Sequence, residues 1–303
     1  MMRQTFLYLS HNKGLRRWME TSRLAAGLTG RFVAGNTLEA AMGVCGRLHG
    51  EHLLSTIDHL GENVTTAAEA VEFRRSIEDV YHSIAASALP HTVSIKLTQL
   101  GLDLSTELCR TNTDILARMA AEQGSRLEID MESHEYVDRT LAITADMHAQ
   151  YGRVRCVLQA YLHRTEDDVK QVNRLRIPVR LCKGAYNEPA SVAFPSKASV
   201  DANYLKLTRM LVSEGSFPAF ATHDPKMIEG ALDAVAKAGR KPGDFEFQML
   251  YGVRRDLQSK LAAKGYGVRL YVPYGNAWYP YFMRRLAERP ANVFFLAKNL
   301  LRA

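Results

Sequence analysis

No stretch of this sequence approaches the roughly 18 consecutive apolar residues that cross a bilayer, so no membrane-spanning helix is expected. The only apolar run near the N-terminus, Phe6–Leu9, is too short for the hydrophobic part of a secretory signal. Cysteine is scarce: Cys45, Cys109, Cys156 and Cys182 lie far apart, with no C-x-x-C pair. That spacing excludes a zinc ribbon or a dithiol redox motif and reads as buried free thiols in a reducing compartment, hence a cytoplasmic chain with no metal site. Linkers rich in Pro, Gly or Ser are missing, and so is any repeat beyond strand–helix alternation. Neither G-x-G-x-x-G nor G-x-x-x-x-G-K-[ST] occurs after a candidate strand, which removes the two commonest phosphate-cradling loops.

What remains is a globular composition: 303 residues, 47% hydrophobic and 23% charged, enough for one large α/β domain or two ordinary ones. The net charge of +7 is uneven. In residues 1–38, Arg3, Lys13, Arg16, Arg17, Arg23 and Arg31 face Glu20 alone, a surplus of +5. From Arg284 onward, Arg284, Arg285, Arg289, Lys298 and Arg302 face Glu288, a surplus of +4. Basic ends on a nearly neutral body suit an anionic ligand or an anionic membrane surface; solvated helix faces explain the first 38 residues equally well. A nucleic-acid reader would carry a basic stripe with interleaved aromatics, and none is visible.

Residues 14–49 read as helix, punctuated by Gly27, Gly30 and Gly35. Eight short apolar runs follow, at 53–57, 93–97, 127–131, 154–161, 179–182, 219–222, 245–250 and 268–272. Amphipathic helical segments alternate with them, for example 67–86, 106–123, 133–151 and 202–214. Strand–helix alternation with nearly continuous apolar strands implies a parallel sheet covered by helices. Eight units in about 250 residues predict a closed (β/α)8 TIM-type barrel. The expected division is an N-terminal helical arm, 1–49, and a barrel, 50–303, with the last helix over the barrel mouth.

Catalytic groups of such a barrel sit at the C-terminal strand ends. Here those ends carry Asp58-His59, Lys96, Asp130, Gln159, Arg180 with Lys183-Gly184, His223-Asp224, Gln248 and Tyr271. One such residue is ordinarily a cap or a loop hydrogen bond; polar endings on all eight strands make a ring around a common mouth. After the eighth strand, Pro280 suits the first turn of a helix. Tyr281, Arg284, Arg285 and Glu288 then share one face at i, i+3, i+4 and i+7. Two adjacent arginines beside a ring make a fork for a carboxylate or phosphate, with Glu288 placed to hold them; a surface helix with an ion pair is the plain alternative.

In series, these segments resemble the proline dehydrogenase family. The matching pieces are SIKLTQLG around Lys96, EIDME around Asp130, VLQAYL with Gln159, RLCKGAY at 180–186, SKASVDANY, ATHD at 221–224, FEFQMLYG at 245–252, RLYVPYG and YFMRRLAE. They occur in the family's order, from about residue 50 to 295, and the helical arm looks like that of short, single-function bacterial members. Cys182 departs from the family, where valine is more usual.

The resemblance implies FAD-dependent oxidation of L-proline to 1-pyrroline-5-carboxylate, the first step of proline catabolism, with electrons passed to a membrane quinone. It implies that Arg284 and Arg285, helped by Lys96, pair with the substrate carboxylate, and that Tyr271, Tyr281 and Leu250 wall the ring. Asp130 is expected to anchor hydrogen bonds near Tyr271 and the flavin. Arg180 is expected beside the reactive flavin nitrogen and Gln159 on the ring edge. Cys182, Lys183, Gly184, Ala185, Thr222, His223 and Gln248 are expected around the rest of FAD, with Arg285 and Glu288 also near it. A quinone acceptor implies peripheral contact with the cytoplasmic face of the inner membrane. Two rivals remain: a methylenetetrahydrofolate reductase-like flavin barrel, which leaves the arginine fork unexplained, and a non-catalytic anion or nucleic-acid binder.

Overall fold

The computed structural model describes residues 30–61, 64–279 and 281–283. Its elements run α1 (Leu38–Gly50), β1 (Leu54–His59), α2 (Ala67–Ser87), β2 (Thr92–Ile95), α3 (Thr106–Glu122), β3 (Leu127–Ile129), α4 (Val137–Tyr151) and β4 (Val154–Gln159). They continue with α5 (Thr165–Arg174), β5 (Val179–Cys182), α6 (Lys197–Glu214), β6 (Ala219–Ala221), α7 (Pro225–Lys237), β7 (Glu246–Leu250), α8 (Arg255–Ala263) and β8 (Gly267–Tyr274). All eight strands pair in parallel in chain order, and β1 closes on β8 from Leu54↔Arg269 to His59↔Tyr274. The expected (β/α)8 barrel is therefore the observed one.

Local chemistry explains where the helices begin. Thr66 Oγ1 accepts from the Glu69 amide at 3.2 Å while the Glu69 carboxylate accepts from the Thr66 amide at 3.2 Å, a reciprocal cap on α2. Ser105 caps α3, and Asp224 with Pro225 starts α7. α6 begins at Lys197 under a Ser196 cap, five residues before the sequence periodicity places it. β2 stops at Ile95 because Lys96 leads directly into a 3-10 turn, Leu97–Leu100.

One expectation changes, and another falls largely outside the described residues. The helical reading of 14–49 holds within α1, but residues 30–37 are turns and irregular chain, and 14–29 lies outside the described residues. Gly35 sits at φ 101°, and a Cβ there would lie 2.8 Å from Ala40 Cβ. This geometry lets Ala34 N donate to Pro273 O at 2.8 Å and Gly35 O accept from Gly275 N at 3.0 Å. Phe32 and Val33 are thereby buried with Leu60, Val253, Trp278, Tyr279, Tyr281 and Phe282 at one end of the barrel. The last helix over the mouth can be followed only through Tyr281–Met283, which are helical; Arg284, Arg285 and Glu288 lie outside the described residues.

The strands are also less continuously apolar than their sequence suggests. Their outer faces pack Ile57, Val93, Ile95, Leu127, Phe247 and Val272 under the helices. Their inner faces meet in a buried polar network. Arg155 NH1 donates to Glu246 at 2.5 Å and to Glu128 at 3.2 Å, and Arg269 Nε reaches both Glu246 oxygens at 3.1 and 3.2 Å. Arg180 pairs with Glu128 from above, and Thr92 Oγ1 donates to Glu128 at 3.0 Å. Charges taken out of water persist only when paired and hydrogen-bonded, and here each carboxylate has several partners. Burial opposes the Glu128 charge, but Arg180, Arg155 and Arg269 win and hold its pKa down at about 2.

Candidate active site

The C-terminal strand ends deliver their polar residues to one cavity of about 340 Å³. β1 places Asp58 there, the end of β2 places Lys96, and the end of β3 places Asp130; β5 contributes Arg180, β7 Gln248 and β8 Tyr271. Their side chains form one connected cluster. Tyr271 OH donates to Asp130 Oδ2 at 2.6 Å, and Arg180 NH1 donates to Asp130 Oδ1 at 2.6 Å. Ser94 Oγ donates to the same Oδ1 at 2.8 Å, and Arg180 Nε donates to Gln248 Oε1 at 2.5 Å. Lys96 Nζ stands 3.5 Å from Asp58, 3.4 Å from Asp130 and 3.5 Å from the Tyr271 hydroxyl.

This packing sets protonation states. Burial opposes the Lys96 charge, but Asp58, Tyr271 and Asp130 outweigh it and raise the pKa well above the ordinary lysine value. The Asp58 carboxyl, 1% exposed, is raised by burial first; Lys96 works against that rise and Asp130 adds to it. Burial, then Asp130 and Asp58, push the Tyr271 phenol up. Arg180 is raised despite burial because Glu128 and Asp130 face it. Burial pushes the Cys182 thiol up to about 12, so it is an inert wall residue and not a nucleophile.

The far side of the cavity is built by the end of β4 and the loop after β5. Gln159 Nε2 donates to Met131 O at 3.2 Å, while its Oε1 is buried without a partner among the described residues. Gly184 takes φ 111°, and a Cβ there would overlap the Tyr161 ring at 2.2 Å. Lys183 pairs with Asp201 and, at 3.0 Å, with Asp224. His223 Nε2 accepts from the Leu250 amide at 2.9 Å, which assigns the proton of the neutral ring to Nδ1.

Lys96, Asp130, Gln159, Arg180, Cys182, Lys183, Gly184, Ala185, His223, Gln248, Leu250, Tyr271 and Tyr281 all line this one cavity. Thr222 does not; its hydroxyl accepts from the Asp224 amide at 3.1 Å instead. Asp58 stands out only in three dimensions. Its strand-end position was visible, but only the fold shows its carboxylate against Lys96.

A closed barrel with cations, carboxylates and aromatic walls gathered at its C-terminal mouth defines a TIM-barrel protein, whose catalytic groups belong at that end. A family model described as proline dehydrogenase matches residues 41–298. The chain is 40% identical over 302 residues to proline dehydrogenase 1 of Bacillus subtilis subsp. natto, covering all of both chains. It is 39% identical over 280 residues to the proline dehydrogenase of Deinococcus radiodurans, covering 91% of this chain and 90% of that one. A crystal structure of proline utilization A from Bdellovibrio bacteriovorus superposes with a TM-score of 0.82 at 25% identity, over 87% of this chain and 33% of that one. The chain belongs to the proline dehydrogenase family.

Proposed function

We propose that this protein oxidises L-proline to 1-pyrroline-5-carboxylate at the barrel mouth, using FAD, and passes the electrons to a membrane quinone. The single observation behind this reading is the buried cluster of Lys96, Asp58, Asp130, Arg180 and Tyr271 in one cavity of a proline dehydrogenase family barrel. The residues present fit a flavin. Gln159 offers a buried acceptor oxygen with no protein donor, suited to a ring N–H. The glycine at 184 lets backbone come close where a side chain would collide. Gln159, Arg180, Lys183, Gly184, Ala185, His223 and Gln248 would hold the cofactor, and bound FAD would supply the two-electron acceptor.

The reaction removes a hydride from the ring carbon beside nitrogen and a proton from nitrogen, leaving a C=N bond. No nucleophile or metal is required; orientation is. Tyr271, Leu250 and Tyr281 form walls against which a five-membered ring can be held. Lys96, kept cationic by its neighbours, can donate to a carboxylate but cannot take the amine proton. Among the described residues the cations Lys96 and Arg180 face the carboxylates Asp58 and Asp130, so little positive surplus is left over. In this reading the surplus that binds the substrate carboxylate and disfavours the ammonium form comes from Arg284 and Arg285. Reoxidation at a bilayer gives the basic residues of the 1–38 arm a role as a reversible docking face; no helix among the described residues is long and apolar enough to cross a membrane. We also propose the division into an arm, 1–49, and a barrel, 50–303.

The test is the visible spectrum of the purified protein under anaerobic conditions. A flavin band that bleaches when L-proline is added is the expected result. Protein without flavin, or a flavin band unchanged by proline, overturns the reading.

A further inference from the structure

We propose that the opposite, N-terminal pole of the barrel holds a binding site for a small multivalent oxyanion, phosphate-like in charge and shape, grasped by Arg126, Arg153 and His91. A cavity of about 170 Å³ lies there, several times the space one water occupies. Its wall includes His91, Gln123, Ser125, Arg126, Arg153 and Arg269. The sheet itself assembles the three proposed ligands. His91 immediately precedes β2, Arg126 precedes β3 and Arg153 precedes β4. The ladder bonds Val93 N to Arg126 O at 3.1 Å and Leu127 N to Arg153 O at 3.0 Å, which sets these residues side by side at one strand edge.

Three observations point to an anionic ligand. First, His91 is 2% exposed, yet among the described residues neither ring nitrogen has a hydrogen-bond partner. Buried polar groups are ordinarily satisfied, and an imidazole that lines a cavity with no partner is placed to serve what enters it. Second, positive charge exceeds negative charge at this pole. Among the described residues neither Arg126 nor Arg153 has a carboxylate within ion-pair distance, whereas Glu128 and Glu246 are already engaged by Arg155, Arg180 and Arg269. Arg155 itself is fully buried with Nε and NH2 unpartnered, and both it and Arg126 stack on Phe217, at 5.4 and 5.3 Å. Third, neighbouring cations add to burial. Burial first, then Arg155, lower the Arg126 pKa to about 10 against the opposing pull of Glu128 and Glu246, and burial, then Arg269 and His49, lower that of His91 to about 4.

Planar guanidinium forks and an imidazole N–H match the oxygens of a tetrahedral oxyanion. Such an anion would offset the surplus charge and fasten the starts of three adjacent strands together. The proposal is independent of the reaction at the mouth.

The experiment uses the full-length holoenzyme and inorganic phosphate, with potassium chloride at matched ionic strength as the control. Phosphate should raise the melting temperature saturably, as a ligand of the folded state does. It should also shift the His91 imidazole resonances, assigned through His91→Gln. Arg153→Gln, which alters an exposed residue outside the catalytic mouth, should weaken phosphate at least tenfold and leave proline turnover unchanged; Arg126→Gln should weaken it as much. If phosphate stabilises no more than chloride, leaves the His91 signals unmoved, or acts equally on Arg153→Gln, the site is refuted. A chloride effect equal to that of phosphate would mean general screening and no oxyanion site.

Discussion

Glu128 shows how much a single side chain does in this barrel. It accepts from Arg155, Arg180 and Thr92, and it is fully buried. Glu128→Gln keeps the shape and removes the charge, leaving two buried guanidiniums short of a counter-ion. Breaking a buried ion pair on one side costs about 3–5 kcal/mol, and chemical denaturation should report a loss in that range. At the substrate end, Arg284→Lys or Arg285→Lys replaces a planar fork with a point charge. The expected loss in kcat/KM for proline corresponds to about 1.5–3 kcal/mol, with flavin content preserved. Kinetics on both variants check this, and unchanged efficiency in both would remove the two arginines from the carboxylate site.

At the level of elements, the loop from β5 into α6 joins the barrel to the cavity through Gly184. An added methyl would meet the Tyr161 ring at 2.2 Å in a backbone region that disfavours side chains. Gly184→Ala should therefore purify with a markedly lower flavin-to-protein ratio, measured by absorbance, while the far-ultraviolet dichroism stays native. The β–α period was readable in the sequence because the outward strand faces and the capped helices are simple patterns. Ser196 and Lys197 escaped that reading, since a polar first turn shows no apolar period. The inner strand faces were harder still. Glu128, Arg155 and Glu246 look like interruptions of an apolar run, and only closure of the sheet reveals them as partners. Asp58 was legible as a strand ending, but its contact with Lys96 spans 38 residues of chain and has no local signature.

Across the whole molecule, the paired interior couples stability to pH. Glu128 titrates at about 2 in the folded protein against an ordinary 4.5, so the unfolded chain takes up the proton first. The stabilisation is complete above pH 4.5 and is lost as pH falls below it towards the folded-state value. Glu246 is shifted in the same direction, because Arg269 and Arg155 outweigh its burial, while buried Asp58 is raised and works the other way. Acid titration of unfolding should therefore fall steeply below pH 4.5, and Glu128→Gln should flatten that slope. The basic arm makes a separate prediction: co-sedimentation with vesicles should need anionic lipid and should fade as salt is raised, at about 1 kcal/mol per basic residue near the surface. Binding indifferent to lipid charge and to salt would exclude an electrostatic dock.

The seam between β1 and β8 also governs how the chain can reach this state during synthesis. Arg269 NH1 donates to Ser55 O across 214 residues, and without β8 the sheet has two open edges and Glu246 lacks one of its two arginines. A nascent chain must therefore carry most of its strands unclosed until the last one leaves the ribosome. High contact order makes that closure slow, and the waiting edges are sites for mispairing with other chains.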